Sequence, residues 1–451
     1  MGYKTPYFLL VVSYCLYPVS AVDLMAEEAQ SKPGQQTESD DANPMSHLRG
    51  KTWDFKFKDF PIGAFNGPAA TDAEYQVYKE CGFNVVITPR YFHYQGYDKV
   101  KDALDLAQKH GLAAVMETYT HHTKPWGGKA GQWYRHRSHH PATLAELQWI
   151  HERYGKHPAL IGYMLADDVG NLPPQVVETT KWMRENTPHL WPWVCQLTLK
   201  TGSLARAGNP LVIPQLYATL YKAHYPPENR MQYYCRQVNT LRQCCFHQGL
   251  LPMPMFNVST WGKPIRSDSI VRFQIYASLA YGAQGIWYFT YRDLGSLMGG
   301  KVADDTVQSV KALCDVKWHV AQEVNHRVAA WGPELLWREV SEVYHTGSDG
   351  WHLPDGLQPG PDKLIVKMTE DLLVGIPRKE GAPPLAMVVD KRVDDGYQTI
   401  PHREVELTFS GGVKSIDILE QGKTKTVQGN TVKLLLKSGE GQLLRLNGEG
   451  L

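Results

Sequence analysis

The sequence predicts an α/β fold: a (β/α)8 TIM barrel followed by a C-terminal antiparallel β-sandwich. Two observations predict it. Between Phe60 and Phe289, eight short apolar runs alternate with amphipathic stretches, the pattern of βα units around a parallel sheet. After Asp362 the pattern changes to alternating strands separated by turn residues. The size of the first region matches that of a TIM barrel.

The eight strands are expected at 60–66, 83–91, 112–119, 159–167, 193–199, 211–217, 252–258 and 285–291. Helical periodicity fills the intervals, as in DAEYQVYKEC, DKVKDALDLAQKH, TLAELQWIHERYG and SIVRFQIYASLAYG. Gly82, Gly111 and Gly249 fall where helix C-caps belong. Helical sequence from Thr306 to Val340 supplies the last barrel helix and a junction. KLIVKMTED, LAMVVDKR, REVELTFSGG, KSIDILEQGK and NTVKLLLKSGEGQLLRL then supply the sandwich strands. The expected division is a leader over 1–21, a linker over 22–55, a barrel over 56–345 and a sandwich over 355–451.

The leader rests on Lys4, the uncharged run FLLVVSYCLYPVSA and the small-residue pattern Val19-Ser20-Ala21, which read as a secretory signal peptide. The expected location is therefore secreted or periplasmic. No later segment is apolar for the ~18–20 residues that a membrane span requires. From Glu27 to His47 the chain is polar, acidic and rich in Gln, Ser and Pro, as a flexible linker is.

Of 451 residues, 43% are hydrophobic and 21% charged, an ordinary globular balance. With 47 Lys+Arg against 46 Asp+Glu the net charge is +1, which argues against a dedicated nucleic-acid binder. The seven cysteines show no CxxC spacing, and most lie in apolar patterns that read as buried thiols. No Gly-rich dinucleotide or phosphate loop occurs, so no organic cofactor is expected. The 13 Trp and 24 Tyr exceed what a core needs and imply an aromatic-lined surface.

Barrel chemistry stands at the C-terminal ends of strands. Asp167-Asp168, after the apolar run IGYMLA, is the sharpest signal. A carboxylate desolvated beside another can be raised in pKa and act as a general acid. The plainer alternative is a helix cap or a surface pair, but the next helix begins after Pro173-Pro174, with Asn171 the better cap. Glu117 on the neighbouring strand is the second carboxylate, with orientation of a base or pairing with an Arg as its alternative. Asp293 is the third, although Arg292 beside it offers a salt link.

Arg90, Tyr91, Tyr217, Trp261, Trp287, Tyr291 and Arg292 are expected to line the cleft and bind substrate. Strand alternation sends about half of such aromatics into the core. The stretch Thr118–Ala145 holds five His, two Lys and two Arg but no Asp or Glu, with Trp126, Trp133 and Tyr134. His121 and His122 in it are expected to meet an anionic ligand, with flat rings to stack on sugars. The alternative for this stretch is a solvated lid with incidental histidines. His121-His122 and His136-x-x-His139-His140 lack carboxylate co-ligands and an HExxH spacing, so no metal is expected.

With these residues in place, the chain from about 56 to 450 resembles the secreted (β/α)8 glycoside hydrolases and hydrolase-like proteins of polysaccharide-degrading bacteria. IGYMLADDVG resembles their fourth-strand motif, usually Gly-Tyr-x-x-x-Asp-Glu; this implies that Asp168 is the acid and Asp167 its companion. IRSDSIVRFQIYASLAYGAQGIWYFTYRD resembles their seventh-helix and eighth-strand segment, and SGGVKSIDILEQGK with VKLLLKSGEGQLLRL their sandwich. Two departures matter. Asp168 is one methylene shorter than the usual Glu, and PMFNVSTWG has no Glu at the end of strand seven, where retaining barrel enzymes keep the nucleophile.

The expected activity is hydrolysis of glycosidic bonds in a poly- or oligosaccharide, sulfated or uronate-bearing if the basic stretch meets it. Three mechanisms fit. In inversion, Asp168 is the acid and Glu117 the base. In substrate assistance, an Asp-Asp pair resembles that of certain N-acetylhexosaminidases, helped by Tyr217. In a lyase, Tyr91, Tyr217 or a His removes a proton while Arg90 neutralises a uronate. A non-catalytic carbohydrate-binding protein on a hydrolase scaffold is the alternative of another class.

Overall fold

The computed structural model describes residues 53–54, 57–88, 97–118, 141–196, 201–217, 227–258, 267–292, 296–300, 302–347, 356–394 and 400–451. The expected leader and nearly all of the linker lie outside them.

Nine parallel strands make the barrel: β1 Ile62–Ala64, β2 Val85–Ile87, β3 Ala113–Glu117, β4 Leu160–Val169, β5 Trp191–Gln196, β6 Leu211–Leu216, β7 Leu251–Pro252, β8 Met255–Asn257 and β9 Ile286–Phe289. β7 and β8 are two pieces of one stave, since both pair with β6, through Leu211↔Leu251 and Gln215↔Met255. Pro252 and Pro254 at the break have no N–H to give the ladder, which accounts for the interruption. Pairing of β9 with β1 and of β5 with β6 closes the ring at eight staves.

The helices between the staves are α1 Asp72–Glu80, α2 Tyr97–Lys109, α3 Leu144–Tyr154, α4 Pro174–Asn186, α5 Thr201–Ala207, α6 Pro227–Gln248 and α7 Asp268–Ala280; α8 Val307–Lys311 and α9 Val316–Leu335 follow β9. Their ends obey local chemistry. Thr143 and Glu146 form a reciprocal capping box at the start of α3. Gly82 closes α1 at φ +85°, a conformation costly for any residue with a Cβ. The expected cap of α4 is corrected: Pro173 holds that position without a side-chain bond, its fixed φ starting the helix, and Asn171 plays no capping part.

The C-terminal half consists of β10 Glu339–His345, β11 Ile365–Met368, β12 Leu372–Arg378, β13 Leu385–Asp390, β14 Arg403–Phe409, β15 Val413–Glu420, β16 Lys423–Gln428, β17 Thr431–Leu436 and β18 Gly441–Gly448. They form a six-stranded sheet β10-β12-β13-β18-β15-β16 and a three-stranded sheet β11-β14-β17, with every pairing antiparallel. The sandwich therefore starts earlier than expected. β10 directly follows the last barrel helix and pairs with β12 through Val343↔Gly375.

The central strands of the large sheet, β12, β13 and β18, are buried on both faces. Val374, Ile376, Ala386, Val388, Leu444 and Leu446 join the sandwich core, whereas the alternate Leu373, Leu385, Met387, Val389 and Leu443 join the barrel core. α7 lies between the two, and all its residues from Ser269 to Ala280 are buried, which is why it is mostly apolar all round, with Arg272, Gln274 and Ser278 buried among the rest. Gly375 permits this approach: a Cβ there would collide with the carbonyl of Ala280. Trp331 Nε1 donates to the Leu419 carbonyl at 2.8 Å, and Arg445 pairs with Glu334 at 2.5 Å. The described cysteines are free thiols, with Cys81, Cys195, Cys235 and Cys245 buried.

Candidate active site

A stave plugged for stability alone would end in branched apolar residues. Here five successive staves, β3 to β8, carry an amide or carboxylate at their C-terminal ends: Glu117, Asp167, Gln196, Gln215 and Asn257, all buried. Gln215 Nε2 donates to Cys195 Sγ at 3.2 Å. Tyr217, just past β6, donates its hydroxyl to Met255 Sδ at 3.1 Å. Beneath this layer Trp193 and Trp287 fill the barrel axis, their ring centroids 4.1 Å apart.

The acidic pair stands on an irregular strand end. Glu117↔Met164 is the last pairing between β3 and β4. Against β5, from Met164 to Val169 β4 advances five residues while β5 advances three, from Trp193 to Gln196. Two extra residues thus lie in the stretch that carries Asp167 and Asp168. Bulges of this kind re-aim side chains and recur beside active sites. Asp167 is 3% exposed; for Asp168 the structure describes the backbone. In a regular strand Asp168 would stand ~13 Å beyond Met164, a distance the bulges shorten. Glu117, opposite Met164, is therefore the deeper carboxylate, with its N–H donating to Thr88 Oγ1 at 3.1 Å.

Two expected substrate contacts are corrected. Trp287 is fully buried in the barrel axis, because alternation along β9 points it inward below the mouth. Tyr291 is also fully buried, its ring edge-on to Tyr78 and Phe83 behind the barrel wall. Arg292 is committed elsewhere: its guanidinium pairs at 2.5 Å with Glu74, a carboxylate 2% exposed on α1. Arg90, Tyr91, His121, His122, Trp261 and Asp293 lie outside the described residues.

Among the described aromatics Phe289, half-buried at the end of β9, lies 4.9 Å from the ring of Tyr217 and 5.8 Å from that of Phe65. It sits two residues after Trp287 on the same inward face, so the signal was the phase of β9. Gln196 was also missed, being the end of a strand expected to run on to 199. Among the described residues no group of three His, Cys, Asp or Glu could hold a metal ion, and no helix is long and apolar enough to cross a membrane. A cleft of about 490 Å³ opens at the opposite, N-terminal end of the barrel, lined by Asp54, Phe57, Asp59, His189 and Trp191 among others. In barrels that end serves stability, so the polar C-terminal mouth is the candidate site.

Fold and site together define a (β/α)8-barrel protein with an integral β-sandwich and an acidic pair at the mouth. No protein-family model matches the sequence, and no curated protein does. Among solved structures it is similar to a glycoside hydrolase family 5 protein from Bacteroides vulgatus, at 13% identity and a TM-score of 0.51, over 87% of this chain and 90% of that one. A GH27 β-L-arabinopyranosidase from Geobacillus stearothermophilus matches at 9% identity and TM-score 0.46, over 87% and 97%. An endo-β-1,4-mannanase from Thermotoga petrophila matches at 11% and 0.41, over 86% and 98%. The chain has the barrel-and-sheet scaffold of the first of these.

Proposed function

We propose that this protein is a secreted glycoside hydrolase acting on a poly- or oligosaccharide, with Asp168 as general acid. The observation that carries the reading is the Asp167-Asp168 pair on the bulged end of β4, within a mouth where β3, β5, β6 and β8 also end in buried polar groups. On this reading Asp168 donates its proton to the leaving oxygen, with the buried Asp167 as its companion. β8 ends in Asn257, an amide that cannot form a glycosyl ester, so the mechanism uses no strand-seven nucleophile. The attacking group is water activated by Glu117 or the substrate's own acetamide. The basic stretch 118–145 suits a sulfated or uronate-bearing chain.

Mass spectrometry of products from neutral, acetamido, uronate and sulfated glycans, with wild type and Asp168→Asn, tests this. Products heavier by one water per cleavage, reduced at least ~100-fold in the variant, are expected for loss of a general acid. Products without added water would mean a lyase. Affinity without products would mean a binding protein. Glu117→Gln separates the water routes: inversion fails with it, whereas an acetamido-only enzyme keeps its rate.

A further inference from the structure

We propose that Thr118 is a positioning residue for the acidic pair, an inference that rests on the reading of Asp168 as the acid. Thr118 is fully buried just past the end of β3. Its N–H and its Oγ1–H both donate to the carbonyl of Met164, at 3.1 and 2.9 Å. The first bond is the ordinary ladder contact of a parallel pair; the second is additional and falls on the same oxygen.

That oxygen is a singular point on β4. Among the described residues Met164 is the last of β4 to pair with β3, and the irregular stretch against β5 begins there. Between Met164 and Val169 β4 carries two surplus residues relative to β5. The direction in which Asp167 and Asp168 leave the sheet is therefore set by how firmly the Met164 peptide is held. A carbonyl fixed by two donors has less freedom to tilt than one fixed by a single donor, and a small tilt there is carried along the strand to both carboxylates. Proton transfer depends steeply on that placement.

The test compares Thr118→Val, which keeps the shape and removes the donor, with Thr118→Ser, which keeps the hydroxyl. On a substrate found by the product screen, the Val variant should lose about tenfold in kcat with KM within twofold and a displaced acid limb of the pH–rate profile, and Ser should recover most of the loss. A Val variant with wild-type kcat and profile, or a Ser variant as impaired as Val, overturns the proposal. If the wild type cleaves nothing, the hydrolase reading fails by itself. Asp side-chain titration by carboxyl-carbon NMR then judges the positioning role: Val, but not Ser, should shift the midpoints of Asp167 and Asp168. Unshifted midpoints would overturn it.

Discussion

Trp287 lies directly over Gly63: the two residues are register partners on β9 and β1, and a Cβ on Gly63 would overlap the six-membered ring of the indole. Gly63 is thus the recess that lets a tryptophan, tilted against Trp193, close the barrel axis. Gly63→Ala forces Trp287 off its rotamer in a packed core, at a cost of about 1–3 kcal/mol. Urea denaturation should show this loss, and Gly63→Ala combined with Trp287→Phe should recover part of it. An unchanged midpoint in the single variant would show that the indole has room to move.

Glu74 and Arg292 make an asymmetric pair. Glu74 is 2% exposed and accepts from the Ala69 N–H at 2.6 Å as well as from Arg292, whose side chain is 23% exposed. Arg292→Ala leaves a buried carboxylate without its cation and should cost about 3–5 kcal/mol; Glu74→Gln leaves a cation that still meets water and should cost less. Melting of the two variants checks the order. If Arg292→Ala melted normally and instead lost carbohydrate affinity, Arg292 would be a ligand contact after all.

His345 on β10 is buried against α7, its Nε2 3.0 Å from the Tyr281 hydroxyl. Burial pushes its pKa down to about 3, and the charge of Lys391 acts in the same direction. In the unfolded chain an ordinary His titrates near 6.5. As pH falls through 6.5 the unfolded state binds the proton that the folded state refuses, so this stability is complete above 6.5 and is lost progressively towards 3. Lys391, brought down to about 8 by its own burial, titrates above that window. Between pH 7 and pH 5 the loss from His345 amounts to about 2 kcal/mol. His345→Gln should flatten the dependence by that amount; equal slopes in both proteins would mean that the imidazole is protonated where it stands.

Much of this architecture is visible in the chain itself, for a physical reason. Staves covered on both sides are continuous apolar runs, and runs such as LVIPQLY and GIWYFTY announce themselves. The same continuity hides orientation. With no polar residue marking the period of two, Trp287, Phe289 and Tyr291 could be assigned to either face, and the mouth received the wrong aromatics. Asp167-Asp168 drew attention because two adjacent carboxylates close the apolar run IGYMLA several residues before Pro173-Pro174 opens the next helix. The bulges that aim them did not, since a bulge is a mismatch between two strands and neither contains it alone. β10 was hidden because EVSEVYH follows a helix with no turn signal between them.

The helix α7, enclosed on every side, ties the timing of folding to the end of the chain. The last strand, β18, occupies the middle of the large sheet, between β13 and β15, and its Gly441 sits against Tyr276 of α7. A nascent chain that has delivered all eight staves to the ribosome exit still lacks the surface that buries α7. The barrel is thus expected to reach its final state only once β18 has left the ribosome. Chains stalled before Gly441 should be cut within α7 by a protease that leaves the complete protein intact there. Protection of α7 in such stalled chains would show that the barrel closes without waiting for its last strand.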